Sequence, residues 1–96
     1  MEKLWESDIL RASPQLNILY ALSHQNYESV KKLARDSGIS HECAIIALDD
    51  LCLLGYAKKS INRSTGISKT SEITYIGKML INSIIDFIKL EQELKK

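Results

Sequence analysis

The sequence predicts a mainly α domain with a small β-hairpin, arranged as a winged helix-turn-helix with a long C-terminal helix. Three observations predict it. Between Val30 and Lys59 the apolar and glycine positions fall where two helices meet at a tight turn. Two weakly alternating segments then flank an Arg63-Ser64-Thr65-Gly66 turn, and a long apolar stretch of helical period follows them. The order helix, helix, hairpin, helix is that of a winged helix-turn-helix.

The elements follow in chain order. A helical core spans 13–55, with the helix-turn-helix at 30–55. Its first turn-motif helix carries Val30, Leu33 and Ala34 on the inner face, where the small Ala34 permits close approach. Gly38 marks the turn because it can adopt the left-handed conformation that ends a helix, and Ser40 is placed as the N-cap of the next one. Ala44, Leu48 and Leu51 recur at helical spacing until Gly55 closes the second helix. The wing occupies 56–76, with strands read at Tyr56–Ile61 and Ser71–Ile76. In the first, Lys58 and Ser60 alternate with Ala57, Lys59 and Ile61; Ile73 and Tyr75 alternate in the second. The remaining 77–96 form the C-terminal helix, whose pattern begins at about Tyr75, behind Thr74 as N-cap, and extends to Glu93. Beyond Lys89 the sequence is highly charged and is expected to fray.

Several segments in this order resemble the winged helix-turn-helix transcriptional regulators of the ArsR and MarR type, found in archaea and bacteria. Ser13-Pro14-Gln15-Leu16-Asn17-Ile18-Leu19 is similar to the opening of the family's first core helix, and Leu33-Ala34 with Gly38-Ile39-Ser40 to its turn. Leu51 with Leu54-Gly55-Tyr56 is similar to the end of its recognition helix, and Ile73-Thr74-Tyr75-Ile76-Gly77 to the step from wing to helix. The resemblance covers roughly residues 13 to 80 and lies in the ordered set rather than in any one motif. It implies a DNA-binding regulator working as a homodimer on double-stranded DNA.

Length and composition bound the rest. The 96 residues, 45% of them hydrophobic, suffice for a single domain (1–96) with one core. No apolar run is long enough to cross a bilayer, and the start lacks the regions of a signal peptide, so a soluble cytoplasmic protein without membrane partners is expected. The abundance of Ile and Lys is a compositional trait associated with archaeal or AT-rich sources, and an archaeal-like origin is expected from that association alone.

The formal net charge is only +1, but it is unevenly distributed. Residues 53–70 hold four basic and no acidic side chains, Lys58, Lys59, Arg63 and Lys69, all within the wing. They are the expected phosphate contacts, with Arg63 able to enter a minor groove, and Lys31 and Lys32 would add contacts from the preceding helix. A solvated hairpin whose lysines protect an edge strand is the alternative.

The second turn-motif helix departs from the family pattern. With Leu48 at the centre of its buried face, Glu42, Cys43, Ile46, Asp50 and Leu53 project outward and Ile45 and Asp49 lie near the boundary. None is basic, and the two aspartates near the C-terminal half would repel phosphate. Base contacts in such helices come mainly from the first turns, so Ser40, His41, Glu42, Cys43 and Ile46 are the candidate readers. Glu42 can accept from a cytosine amino group and Ile46 can touch a thymine methyl. Ile46 and Leu53 also make an apolar stripe suited to a protein partner. A protein-binding winged helix, acting as an adaptor or subunit, is therefore the rival reading.

The C-terminal helix carries two apolar stripes, Leu80, Ile84, Phe87 and Leu94 beside Ile81, Ile85 and Ile88. One can pack on the winged core. The other, assigned to Ile81, Ile85 and Ile88, would be covered by a second copy in a two-fold dimer. Alternatively a monomer wraps both stripes around Leu4, Trp5, Ile9 and Leu10.

Catalysis is not expected. His41, Glu42 and Cys43 are neighbours on a helix and diverge by about 100° each, so they cannot converge as a nucleophile and base. His24 is expected to cap the first core helix or face solvent. Cys43 and Cys52, nine residues apart, fall on roughly opposite faces of one helix, and no cysteine lies between Glu28 and Ala34, where some ArsR-type repressors hold a metal. No cofactor or metal is expected. The sequence identifies no effector ligand.

Overall fold

The computed structural model describes residues 13–61 and 69–94, and the expectations resting on Leu4, Trp5, Ile9, Leu10, Arg63 and the wing turn lie outside them. The described elements are α1 (Pro14–Leu22), α2 (Val30–Ser37), α3 (His41–Leu53), β1 (Ala57–Ile61), β2 (Lys69–Ile73) and α4 (Tyr75–Leu94). This is the winged helix-turn-helix with a long C-terminal helix.

Helix α1 is the hub. Ser13 caps it by accepting from the Leu16 amide, Pro14 sits in its first turn, and everything from Asn17 to Leu22 is buried. A short helix that is apolar almost all round can only be a central one. It packs on α2, α3, α4 and β2. Its one buried amide has a defined task, since Asn17 Nδ2 donates to the Ser37 carbonyl at 2.7 Å and satisfies one of the carbonyls left open at the end of α2.

Both turn-motif helices end in the same way. Gly38 has φ 71 and Gly55 φ 84, the left-handed region where a side chain would be strained. At the first, the Ile39 amide reaches back to the Ala34 carbonyl (3.1 Å) and the Gly38 amide to Arg35 (3.2 Å). At the second, the Tyr56 amide bonds Leu51 (2.9 Å) and the Gly55 amide bonds Cys52 (3.2 Å). Each is a Schellman motif, with Ile39 or Tyr56 then packing on the core. Ser29 and Ser40 cap the starts of α2 and α3.

The wing strands pair antiparallel, Ala57 with Ile73 through Ile61 with Lys69. The second strand is shorter and earlier than its alternation suggested: it ends at Ile73, and Tyr75 and Ile76 already belong to α4. Thr74 makes the change. Its hydroxyl donates to the Gly55 carbonyl (2.7 Å) and accepts from the Gly77 amide (3.1 Å), while its own amide bonds the Tyr56 carbonyl (3.0 Å). A local alternation of two residues cannot resist a cap anchored to the far side of the wing. A further surprise is a bridge between Tyr27, in the α1–α2 connection, and Ser71 of β2, with amide-to-carbonyl distances of 3.0 and 2.7 Å. The Tyr27 hydroxyl donates to Asp36 at 2.7 Å, which ties the wing to α2 as well.

Helix α4 runs for 20 residues and remains helical to Leu94, past the point where fraying was expected. Ile81 and Ile88 are buried within the single chain, and Leu80, Ile84 and Ile85 are half-buried against the core. The stripe assigned to a partner is therefore largely occupied inside the protomer. Tyr75, Ile76, Met79, Phe87, Leu90 and Leu94 are instead each more than half exposed. The reason is the rotation of α4 imposed by Gly77, which faces inward. Among the described residues no helix is long and apolar enough to cross a membrane.

Gly77 lies so close to the wing that a Cβ there would fall on the Tyr56 carbonyl oxygen and against Ile73. Gly77→Ala should therefore destabilise the fold despite the better helix propensity of alanine, by about 1–3 kcal/mol on the scale of overpacked sites. Urea unfolding followed by circular dichroism measures it. A stability at or above that of the parent would show that the joint is looser than its geometry implies.

Burial pushes the phenol of Tyr27 above its ordinary value of 10.0, the Asp36 carboxylate raises it further, and a hydrogen bond with Gln25 opposes them. Burial raises Tyr20 as well. A raised acid pKa means that the folded state favours the neutral phenol. Its contribution is complete below about pH 10 and is lost as pH rises through the folded-state value. The urea midpoint should fall above about pH 10, and Tyr27→Phe should fall less steeply over the same range. Identical slopes for the two proteins would contradict this.

Candidate nucleic-acid interface

Helix α3 presents the candidate reading surface because of how its inner face is filled. Ala44, Ala47, Leu48 and Leu51 are buried, the alanines allowing α3 to lie close to α1 and α2. The opposite face is left to solvent: His41, Glu42, Cys43, Ile45, Ile46, Asp49 and Leu53 are all exposed. Ile46 is 61% exposed and Leu53 85%, and with Ile45 and Leu54 exposed as well, several large apolar side chains of this segment lie at the surface.

The start of this helix stands clear of the core. Ser40 Oγ accepts from the Cys43 amide at 3.2 Å, which fixes the first turn and presents His41, Glu42 and Cys43 around it. On α2, Lys31 and Lys32 are exposed, while Leu33 and Ala34 face inward. Thus Ser40, His41, Glu42, Cys43 and Ile46 share the outer surface of one helix, and the two lysines lie exposed on the helix before it.

The two aspartates that would repel phosphate are both engaged within the chain, in different directions. Asp50 accepts from Gln15 Nε2 at 3.1 Å, which pins α3 to the start of α1. Asp49 accepts from Lys59 Nζ at 2.9 Å, across the Gly55 turn. Sequence reasoning missed both pairs, and helix spacing alone could not have found them, because each joins α3 to another element.

The wing lysines are not a single cluster. Successive strand residues point to opposite faces, so Lys59 turns toward α3 and Lys58 away from it. Lys58 lies 3.7 Å from Glu72, its directly opposed partner on β2. Glu72 also accepts from Asn26 (3.4 Å) and Ser60 (3.3 Å). Arg63 and the Lys69 side chain lie outside the described residues; the Lys69 backbone pairs with Ile61.

Other sequence candidates fall as follows. His24 Nδ1 lies 2.9 Å from the Tyr20 carbonyl, so the ring caps the end of α1. Cys43 is exposed and Cys52 half-buried. Burial raises the Cys52 thiol, with Lys59 lowering it and Asp49 raising it, a record of how near that ion pair lies. Among the described residues no three His, Cys, Asp or Glu side chains converge as a metal site.

Neither a family model nor a curated relative matches this sequence. Solved structures do match its shape. A MarR family transcription regulator superposes with TM-score 0.78 at 18% identity, covering 84% of this chain and 54% of the other. Another from Silicibacter pomeroyi gives 0.75 at 23% identity, over 95% of this chain and 66% of the other. The adhesin competence repressor of Streptococcus pyogenes gives 0.74 at 18%, over 98% and 74%. The chain spans 54% and 66% of the length of the first two. What is shared at these identities is the fold, a MarR-like winged helix with a long C-terminal helix.

Proposed function

We propose that this chain is a DNA-binding transcriptional regulator that acts as a cytoplasmic homodimer. The first turns of α3 enter the major groove, and the wing rests on the flanking backbone. The observation that carries this reading is the exposed N-terminal half of α3, where His41, Glu42, Cys43 and Ile46 project from a capped helix start. The MarR-like fold supports it. In this docking, His41 and Glu42 read base edges, Ile46 meets thymine methyl groups, and Lys31, Lys32, Lys58, Lys59, Arg63 and Lys69 hold phosphates. Because Lys58 and Lys59 face opposite sides of the hairpin, one of them contributes more than the other.

A second copy is favoured by the exposed apolar residues of α4, from Tyr75 and Ile76 through Met79 to Phe87, Leu90 and Leu94. Two copies would also set two reading helices on paired half-sites. The buried Ile81 and Ile88 would support that contact from beneath rather than form it, as would the half-buried Ile85.

Fluorescence anisotropy of a labelled mixed-sequence duplex, titrated at several salt concentrations, tests the reading. The protein should bind in a salt-sensitive manner. The Lys58→Ala, Lys59→Ala, Arg63→Ala triple variant should bind all sequences more weakly, with a log-affinity slope against log salt reduced by up to about 0.9 for each phosphate that is no longer neutralised. His41→Ala or Glu42→Ala should instead change which duplexes are selected from a random pool. The proposal fails if the parent does not bind at low salt.

One specific observation favours a second reading. The exposure of Ile46 and Leu53 suits an apolar partner surface, and a winged helix serving as a protein adaptor would use it. Ile46→Asp separates the two, with dimerisation checked by sedimentation. A DNA reader should keep salt-sensitive binding, with a weakened preference for thymine-containing sites; an adaptor should show no DNA binding in either form.

A further inference from the structure

Lys58 and Lys59 meet carboxylates of different character. Glu72 is half-buried and is held by Lys58, Asn26 and Ser60 together, so it is part of the wing base whatever Lys58 does. Asp49 is different. Its side chain is 56% exposed, and among the described residues it hydrogen-bonds only Lys59, whose side chain is 34% exposed. The pair is short, at 2.9 Å, and joins the last turns of α3 to the first strand of the wing.

From this contrast we infer that Asp49 is a positioning residue: its carboxylate holds the Lys59 ammonium beside α3 and competes with a DNA phosphate for it. The inference rests on the DNA-binding reading above. An ammonium has three donors and can approach a phosphate without leaving its carboxylate, but then two anions share one cation at close range. Full engagement of a phosphate therefore exchanges Asp49 for the phosphate. The exchange is easy because an exposed ion pair in water contributes little to holding the chain together. Lys59 is consequently aimed before DNA arrives and restrained in how strongly it grips. Asp50 cannot play this part, since Gln15 holds it on the α1 side. Glu72 cannot either, because two neutral donors keep it in place when Lys58 moves.

Asp49→Asn removes the charge and keeps the acceptor, so the wing remains seated while the competition disappears. Salt-dependent anisotropy on one mixed-sequence duplex compares four proteins: the parent, Asp49→Asn, Lys59→Met and the double variant. Asp49→Asn should bind about two- to fivefold more tightly at low salt, in keeping with the strength of an exposed pair. Its salt slope should steepen by up to about 0.9, the limit for one phosphate passing from partial to full neutralisation by Lys59. Lys59→Met in the same background should cancel both changes, and a purely structural role for Asp49 would not move the slope. Thermal unfolding of each variant verifies that the fold is retained. Unchanged or weaker binding by a folded Asp49→Asn overturns the inference and leaves the DNA-binding reading intact, as does a gain that persists without Lys59. Absence of binding by the parent and Asp49→Asn alike, even at low salt, overturns both.

Discussion

The close approach of Gly77 to the Tyr56 carbonyl is the constraint on which the arrangement of the functional elements depends. Three parts of the chain meet there: the end of α3, the entry to the wing and the start of α4. The Gly55 turn reverses the chain after α3, and Thr74 then clasps that turn by donating its hydroxyl to the Gly55 carbonyl and its amide to the Tyr56 carbonyl. With Gly77 pressed against the same peptide, α4 can leave the joint in only a narrow range of directions and rotations. That rotation decides which of its many apolar residues are inside. Ile81 and Ile88 turn inward, and the outward set from Tyr75 to Leu94 is left as a surface. The helix that presents the candidate readers and the helix that presents the apolar surface are thus joined through one packed peptide rather than through a loop. A relation between the two surfaces is what a two-copy reader of fixed half-site spacing requires.

Around that joint the chain manages its charge locally. The sequence places four basic residues and no acidic ones between 53 and 70, which read as an uncompensated basic wing. Folding brings carboxylates to it from both sides: Asp49 from α3 on one face, and Glu72 across the ladder on the other. Neither pair adds much stability, because exposed ion pairs exchange with water and salt at little cost. Their effect is on orientation. Two flexible lysine side chains acquire preferred directions, one toward α3 and one away from it.

Most of the fold was legible because it is written in short-range chemistry. Gly38, Ser40 and Gly55 act within a few residues of themselves, and the structure puts each where its left-handed conformation or capping oxygen is needed. The inner face of α3 followed from period alone. The helix start at Tyr75 behind Thr74 was legible, but the end of the second strand was not, since Ile73 and Tyr75 alternate as strand residues do; the contact between Thr74 and Gly55, 19 residues apart, decides between the two overlapping patterns. The inward stripe of α4 was mistaken for the outward one for the same reason: two adjacent apolar stripes on one helix are equivalent until a contact elsewhere sets the rotation. At the candidate interface the exposure of His41, Glu42, Cys43 and Ile46 was readable from helical projection. The engagements of Asp49, Asp50 and Glu72 were not, because each spans two elements whose juxtaposition is a property of the fold. Nor was the bridge from Tyr27 to Ser71, which a lone tyrosine in a polar connection does not announce.

With a net charge of +1 and both Lys58 and Lys59 facing carboxylates, this protein casts little long-range field toward a polyanion. For a DNA reader of this design, attraction at a distance is weak and the burden falls on contacts of short range. Those available on the outer face of α3 are a histidine, a carboxylate and an isoleucine at 61% exposure, groups that discriminate by hydrogen-bond pattern and shape rather than by charge. A carboxylate on the reading surface is costly against the wrong base and useful against the right one, since it meets either a cytosine amino group or an unpaired acceptor. As a DNA-reading surface, this face would gain less from nonspecific DNA than a basic one, and a larger share of its binding energy would depend on sequence. Two copies sharing one apolar seam would double those short-range contacts, which would let a weakly charged winged helix reach useful affinity.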